Sequence, residues 1–284
     1  MAEILNQAQL SYNTTVVSSN VTVGELLPAL SLTKTAVRTT YSRQDGITYI
    51  VSLTNSSGSA YTGITVTDDL GGYAVGQTTV YPLAYVDATV RLYTNGTLGA
   101  APTVTAGPPL AFTGITVPAN GNVILVYEAS VTEYAPLATD SQITNTASVT
   151  IAEPTTTVSD SETVNVRNAP SISVTKHMEP TTVINNDTVT YTFVIENYGN
   201  TALVAEDGSV LTDTFTPALS NISVTFNGEA WTAPANYTYS EATGAFATVA
   251  GGIIVPAATF TQDQVTGAVR VVPGTSTLVV TGRI

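Results

Sequence analysis

Apolar and polar residues alternate with a period of two along most of this chain. Thr48-Tyr-Ile-Val-Ser-Leu-Thr54 is one of many such runs. That period places alternate side chains on opposite faces of a β-strand. No long window carries the 3.6-residue period of an amphipathic helix. Turn dipeptides, Asn95-Gly96 and Asn227-Gly228 among them, separate the apolar runs. The pattern predicts an all-β chain, and 284 residues suffice for two β-sandwiches in tandem.

The alternation repeats at a longer range. Pro28-Ala-Leu-Ser-Leu-Thr-Lys34 matches Pro170-Ser-Ile-Ser-Val-Thr-Lys176, and the match runs without gaps through Asp45…Tyr49…Asn55 against Asp187…Tyr191…Asn197. Thr65-Val-Thr-Asp68 matches Val210-Leu-Thr-Asp213, and Ile124-Leu-Val-Tyr127 matches Leu278-Val-Val280. The first module closes with Ile143-Thr-Asn145-Thr-Ala-Ser-Val-Thr-Ile151 and a further strand to Val166. The second reaches Ile284 before any such segment, and a version of it stands at the other end, Ile4-Leu-Asn6-Gln-Ala-Gln-Leu-Ser-Tyr12, then Val21 to Leu27. The expected organisation is an N-terminal donor hairpin over 1–27, a first module over 28–169, and a second module over 170–284 without its closing strands.

A sandwich short of edge strands exposes main-chain donors and acceptors together with a strip of core, and both invite another strand. Ile4, Asn6, Ala8, Leu10 and Tyr12 have the alternation to fill such a gap. Three dispositions are open to them: donation to a neighbouring copy, closure of the same chain's second module, or capping of the first. Arg167-Asn-Ala-Pro170 has too little Gly and Ser to act as a flexible linker. With the first module and this connector standing in between, donation is the expectation, and its product is a head-to-tail homopolymer.

Composition narrows the chemistry. Net charge is −13 with 8 basic residues, none clustered, which argues against nucleic acid and anionic membrane as partners. There are no cysteines, so disulfides and thiolate metal sites are excluded. No apolar run is long enough for a membrane span. The N-terminus lacks the basic and apolar regions of a secretory signal, and the C-terminus lacks a wall-sorting motif. Asp68-Asp69 lacks the patterned oxygen ligands of a calcium loop. His177, the only histidine, allows neither a Ser–His–Asp set nor a metal site. No cofactor, metal or catalytic site is expected. Trp231 with Tyr237 and Tyr239 is either a glycan-stacking patch or packing.

Lys34 and Lys176 are the only lysines, and they occupy the same place in the two modules. One reading is an ion pair at a strand end. The other is an autocatalytic Lys–Asn isopeptide bond, in which burial yields a neutral amine and a protonated carboxylic acid polarises an asparagine amide. In the first module the candidates are Lys34, Asn145 and Asp68, with Glu128 as the lesser candidate for the acid. In the second they are Lys176 and Asp213, and the repeat supplies the asparagine as Asn6 of a neighbouring subunit.

Together, Lys34, Asp45, Thr48-Tyr49, Asn55, Val66-Thr-Asp68 and Ile143-Thr-Asn145-Thr-Ala147, with their second copies, resemble the bacterial surface repeat domain catalogued as "domain of unknown function eleven". The resemblance implies immunoglobulin-like sandwiches in stalks, adhesins and cell-surface fibres. Two-module chains of this size and start are similar to appendage proteins of clostridial endospores. Those are made in the mother cell, which would account for the missing signal. An extracellular place on a cell or endospore surface follows as an expectation, with self-association and other surface or anchor proteins as partners. The alternative is an adhesin for a host protein or glycan.

Overall fold

The computed structural model describes residues 2–26, 29–152 and 155–284. Met1, Leu27 and Pro28, which bound the expected N-terminal segment and first module, lie outside the described residues. The fold is all-β, with a single 3-10 turn at Ala205–Asp207 as the only helical element among the described residues. Two compact units form, one from Met1–Pro136, Gln142–Asn165 and Gln264–Gly267, the other from Leu137–Ser141, Val166–Asp263 and Ala268–Ile284.

The chain opens with strands β1 (Ala2–Asn6), β2 (Gln9–Tyr12), β3 (Thr15–Ser18) and β4 (Thr22–Leu26). β1 pairs with β4 and β2 with β3, so the segment is one long hairpin turning at Asn13-Thr14. Asn13 takes φ 51 at that turn, a left-handed conformation that asparagine tolerates. The pairing goes from Asn6 opposite Thr22 to Gln9 opposite Ser18, leaving one extra residue on the return strand, a β-bulge. Ser19 fills the break: its N–H donates to the Ala8 carbonyl, and its Oγ accepts from the Ala8 N–H. Every side chain from Ile4 to Gly24 is exposed, so the hairpin caps nothing within its own unit.

The first sandwich follows. Its first sheet contains β5 (Leu30–Ala36), β6 (Gly46–Asn55) and β9 (Asn122–Val131), antiparallel and in the order β5-β6-β9. Its second contains β7 (Tyr61–Asp68), β8 (Leu110–Val117), β10 (Gln142–Ala152) and β11 (Thr155–Val166), in the order β8-β7-β10-β11. The period of two does its work here. β6 turns Ile47, Tyr49, Val51 and Leu53 inward, and β10 answers with Ile143, Asn145, Ala147, Val149 and Ile151. The solvent face of the β10–β11 hairpin carries Ser and Thr instead: Thr144 opposite Thr163, Thr146 opposite Ser161, Thr150 opposite Thr157.

The second sandwich repeats the first sheet with β12 (Ile172–Glu179), β13 (Thr188–Asn197), β15 (Ser220–Phe226) and β18 (Gly274–Arg283), in the order β12-β13-β18-β15. Facing it is a smaller sheet of β14 (Thr212–Thr214), β16 (Tyr237–Tyr239) and β17 (Ala245–Thr248), with β17 in the middle. Phe193, Val224, Phe226, Leu278 and Val280 pack against Phe215, Tyr237 and Phe246 between them. β14 corresponds to the end of β7. On the side of β7 where β10 pairs, β14 has no strand among the described residues.

Candidate functional site

Inward-facing residues of β5 are Leu30, Leu32 and Lys34, so the strand's alternation drives a lysine into the core. Its Nζ lies 2.5 Å from Asp68 Oδ2, and both side chains are almost fully inaccessible (0% and 1%). The same carboxylate oxygen accepts from the Tyr127 hydroxyl, and Asp68 Oδ1 accepts from the Leu70 N–H at 2.9 Å. The Lys34 ammonium stands 4.8 Å from the Tyr49 ring centre. Burial pushes the amine below its ordinary value, against the opposing pull of Asp68 and, more weakly, of Asp69 and Asp160. Burial likewise pushes the Tyr127 hydroxyl well above its ordinary value, with the Asp68 charge adding to it.

Asn145 sits in the same core on β10, fully buried, and neither its Oδ1 nor its Nδ2 has a hydrogen-bond partner. Register fixes the place: Ala147, two residues on, stands opposite Asp68 on β7. Tyr49 and Tyr127 lie close enough for their hydroxyls to feel the amide, yet neither is in hydrogen-bonding geometry with it. The Tyr49 hydroxyl is itself unpaired. Buried amides elsewhere in the chain are satisfied. Asn55 Nδ2 donates to the Ser59 and Pro118 carbonyls and its Oδ1 accepts from Ser57 N–H. Asn197 makes the equivalent bonds to Thr201, Pro256, Ser171 and Gly199. An orphaned buried polar group costs about 1–3 kcal/mol, so Asn145 stands apart.

Such a set can perform a balanced acyl substitution. Lys34 gives a proton to Asp68, and the neutral amine attacks Asn145 Cγ. The Nζ–Cγ bond forms, the Cγ–Nδ2 bond breaks, and one of the amine's two protons leaves with Nδ2 as ammonia while the other stays on the new amide nitrogen.

The second module keeps half of this. Lys176 Nζ lies 2.5 Å from Asp213 Oδ2 and 4.6 Å from the Tyr191 ring centre. Here, however, the lysine is 39% and the aspartate 17% accessible. Most of β12 is uncovered: Ile172 and Val174 are 41% and 52% exposed, where Leu30 and Leu32 are 1% and 7%, and only Met178 packs partly against the core. Val280 occupies the place of Tyr127, each opposite the tyrosine of its own module in register. Asn6 is exposed on β1, its carbonyl accepting from the Thr22 hydroxyl. Ile4, Ala8, Leu10 and Tyr12 are exposed with it.

Asp68 is thus the carboxylate at Lys34, while Glu128 follows Tyr127 on the opposite face of β9. Trp231 packs on Phe226 with ring centres 4.9 Å apart, and His177 is exposed. Sequence reasoning missed Tyr127 and Asp160. The first could be found from the inward phase of its strand. Asp160 could not, because its Oδ2 meets the Lys34 main-chain N–H, 126 residues away in sequence.

No family model and no curated protein matches this chain. Solved structures similar to it include the major pilin subunit BcpA of Bacillus cereus, at 10% identity, covering 96% of this chain and 73% of that one, TM-score 0.38. A C-terminal fragment of the major pilin GBS80 of Streptococcus agalactiae is 12% identical over 78% of this chain and 79% of that one, TM-score 0.36. The collagen adhesin CNA of S. aureus is 13% identical over 53% of this chain and 55% of that one, TM-score 0.32. Likenesses this distant carry no argument about function. The site stands on its own geometry.

Proposed function

We propose that this chain is the structural subunit of a fibre on a cell or endospore surface, as the resemblance of its repeats suggests. Each copy donates its N-terminal hairpin to the second module of the next. The supporting observation is the contrast between β5 and β12, two strands of matching sequence. In the first module β10 and β11 cover β5 and bury its apolar side chains. In the second β12 stands open, and the segment that resembles β10 is the free hairpin. Seating it covers Ile172 and Val174, at roughly 1.5–3 kcal/mol for each large apolar side chain buried, and satisfies the open edge of β14.

Lys–Asn bonds lock the fibre in this reading: Lys34 to Asn145 within the first module, Lys176 to Asn6 between copies. The unpartnered Asn145 amide supports the first, and the repeat supports the second. Boiling purified fibres in detergent is the test. A ladder of multimers is expected, and Asn6→Ala should collapse it to monomer whose intact mass still shows loss of one ammonia. A monomer band with no ammonia loss from the starting chain would defeat both bonds and leave non-covalent donation standing.

A further inference from the structure

Both the donated hairpin and the receiving edge have a fixed hydrogen-bonding phase. On either side of β14, Leu211 accepts from Thr248 N–H, and Phe215 N–H donates to the Gly244 carbonyl, both toward the β17 side. Main-chain groups alternate along a strand, so Thr212 and Thr214 turn theirs to the open edge. On the hairpin, Ala8 pairs with Ser19 toward the return strand, and Leu10 and Tyr12 share its phase. Gln7, Gln9 and Ser11 therefore turn theirs outward.

We infer that the open edge of β14 takes β2 of a second copy in one register, with Ala8 opposite Asp213, Gln9 opposite Thr212 and Leu10 opposite Leu211. It rests on the donation reading and adds the partner strand and its alignment. The first module supplies the template. There Ala147 stands opposite Asp68, Ser148 opposite Thr67 and Val149 opposite Val66, and Asp69 N–H donates to the Thr146 carbonyl. Carried over by the repeat, Gln9 exchanges main-chain bonds with Thr212, and the Gln7 carbonyl takes over the Thr214 N–H, which in the free subunit donates to Asp213 Oδ1 at 2.8 Å. The phases of the two free edges, read independently, agree with this template. A slip of one residue breaks that agreement and turns Ile4, Ala8 and Leu10 to solvent.

The register also places Ser19. In the first module Asp160 stands opposite Ala147 and accepts the Lys34 main-chain N–H at 2.8 Å. Ser19 stands opposite Ala8, so its hydroxyl falls at the Lys176 main-chain N–H, a neutral acceptor in place of a carboxylate. Asn6 then lies over the Lys176–Asp213 pair as Asn145 lies in the core with Lys34 and Asp68.

The chain has no cysteine, so an introduced pair reports without background. Gln9 and Thr212 are both exposed, and cysteine there leaves the subunit fold intact. Directly opposed, hydrogen-bonded residues lie about 5.5 Å apart between Cα atoms, inside the roughly 4.4–6.8 Å that a disulfide spans. Full-length Gln9→Cys/Thr212→Cys is assembled in an Asn6→Ala background, imaged by electron microscopy and oxidised with diamide. A multimer ladder that a thiol reductant collapses is expected, with little linking in Ser11→Cys/Thr212→Cys, the two-residue slip. Should Asn6→Ala itself prevent fibres, the same pair is read in the Asn6 chain by mass spectrometry of linked peptides. Linking through Ser11 instead, or through neither position in well-formed fibres, overturns the register while donation stands. Failure of the unaltered chain to form fibres overturns donation and the register with it.

Discussion

Lys34 is an amine held where its charge is disfavoured, beside a carboxylate and an amide with nothing to bond. If Asn145 is its acyl partner, Asn145→Ala abolishes one ammonia loss and lowers stability by about 5 kcal/mol, the entropy of opening a loop of roughly a hundred residues. It also restores a titrating amine. The folded value of that amine lies below 10.5, so in the window between the two the unfolded chain holds a proton that the folded chain has released. Stability of Asn145→Ala therefore rises with pH across the window, relative to Asn145→Ala/Lys34→Met. Tyr41, Tyr49 and Tyr127 are raised, mainly by burial, so above about pH 10, where unfolded tyrosines ionise, they act in the opposite direction. Denaturant midpoints taken from neutrality to about pH 10 check this. Equal slopes in the two variants would show that Lys34 does not titrate there.

At the scale of elements, identical strand patterns have opposite fates because strands are finished by their neighbours. β5 and β12 both alternate, and each carries an apolar pair and a lysine in the same phase. Over β5 the facing sheet continues through β10 and β11, whereas the sheet facing that of β12 ends at β14 among the described residues. The N-terminal hairpin reverses the case, with a core-facing pattern and no core. Leu10→Lys places a charge on the face that docks and nothing else. Thermal unfolding of the free subunit should move by no more than about 0.5 kcal/mol, as for other exposed sites. Fibre formation, followed by light scattering, should be lost. Ser11→Lys, on the other face, should assemble. A Leu10→Lys chain that still forms fibres would remove this face from the contact.

For the whole molecule, the proposed donation would make assembly a folding step shared between copies. A chain without residues 2–26 should stay monomeric by sedimentation, with both units folded by circular dichroism. Adding a peptide of residues 2–26 should stabilise the C-terminal unit alone, by about 2.7 kcal/mol at a hundred times its dissociation constant. The same peptide should shorten fibres of the full chain by occupying their growing ends. A net charge of −13 repels approaching subunits, and added salt should speed growth by screening it.

Local chemistry and periodicity were enough to make the all-β class, the repeat and the paired lysines legible. Alternation selects strands whatever surrounds them, and a duplicated pattern shows itself without a fold. They also singled out Asn145 and Asp68, since the repeat places them on strands that a sandwich brings near Lys34. Other facts came only from the assembled sheets. Tyr127 on Asp68, Asp160 on the Lys34 main chain and the empty bonding of Asn145 depend on strands far apart in sequence meeting in register. So does the difference in burial between Lys34 and Lys176. Their sequence surroundings are nearly the same, and what sets them apart is how far the facing sheet extends over the strand, which only long-range pairing decides.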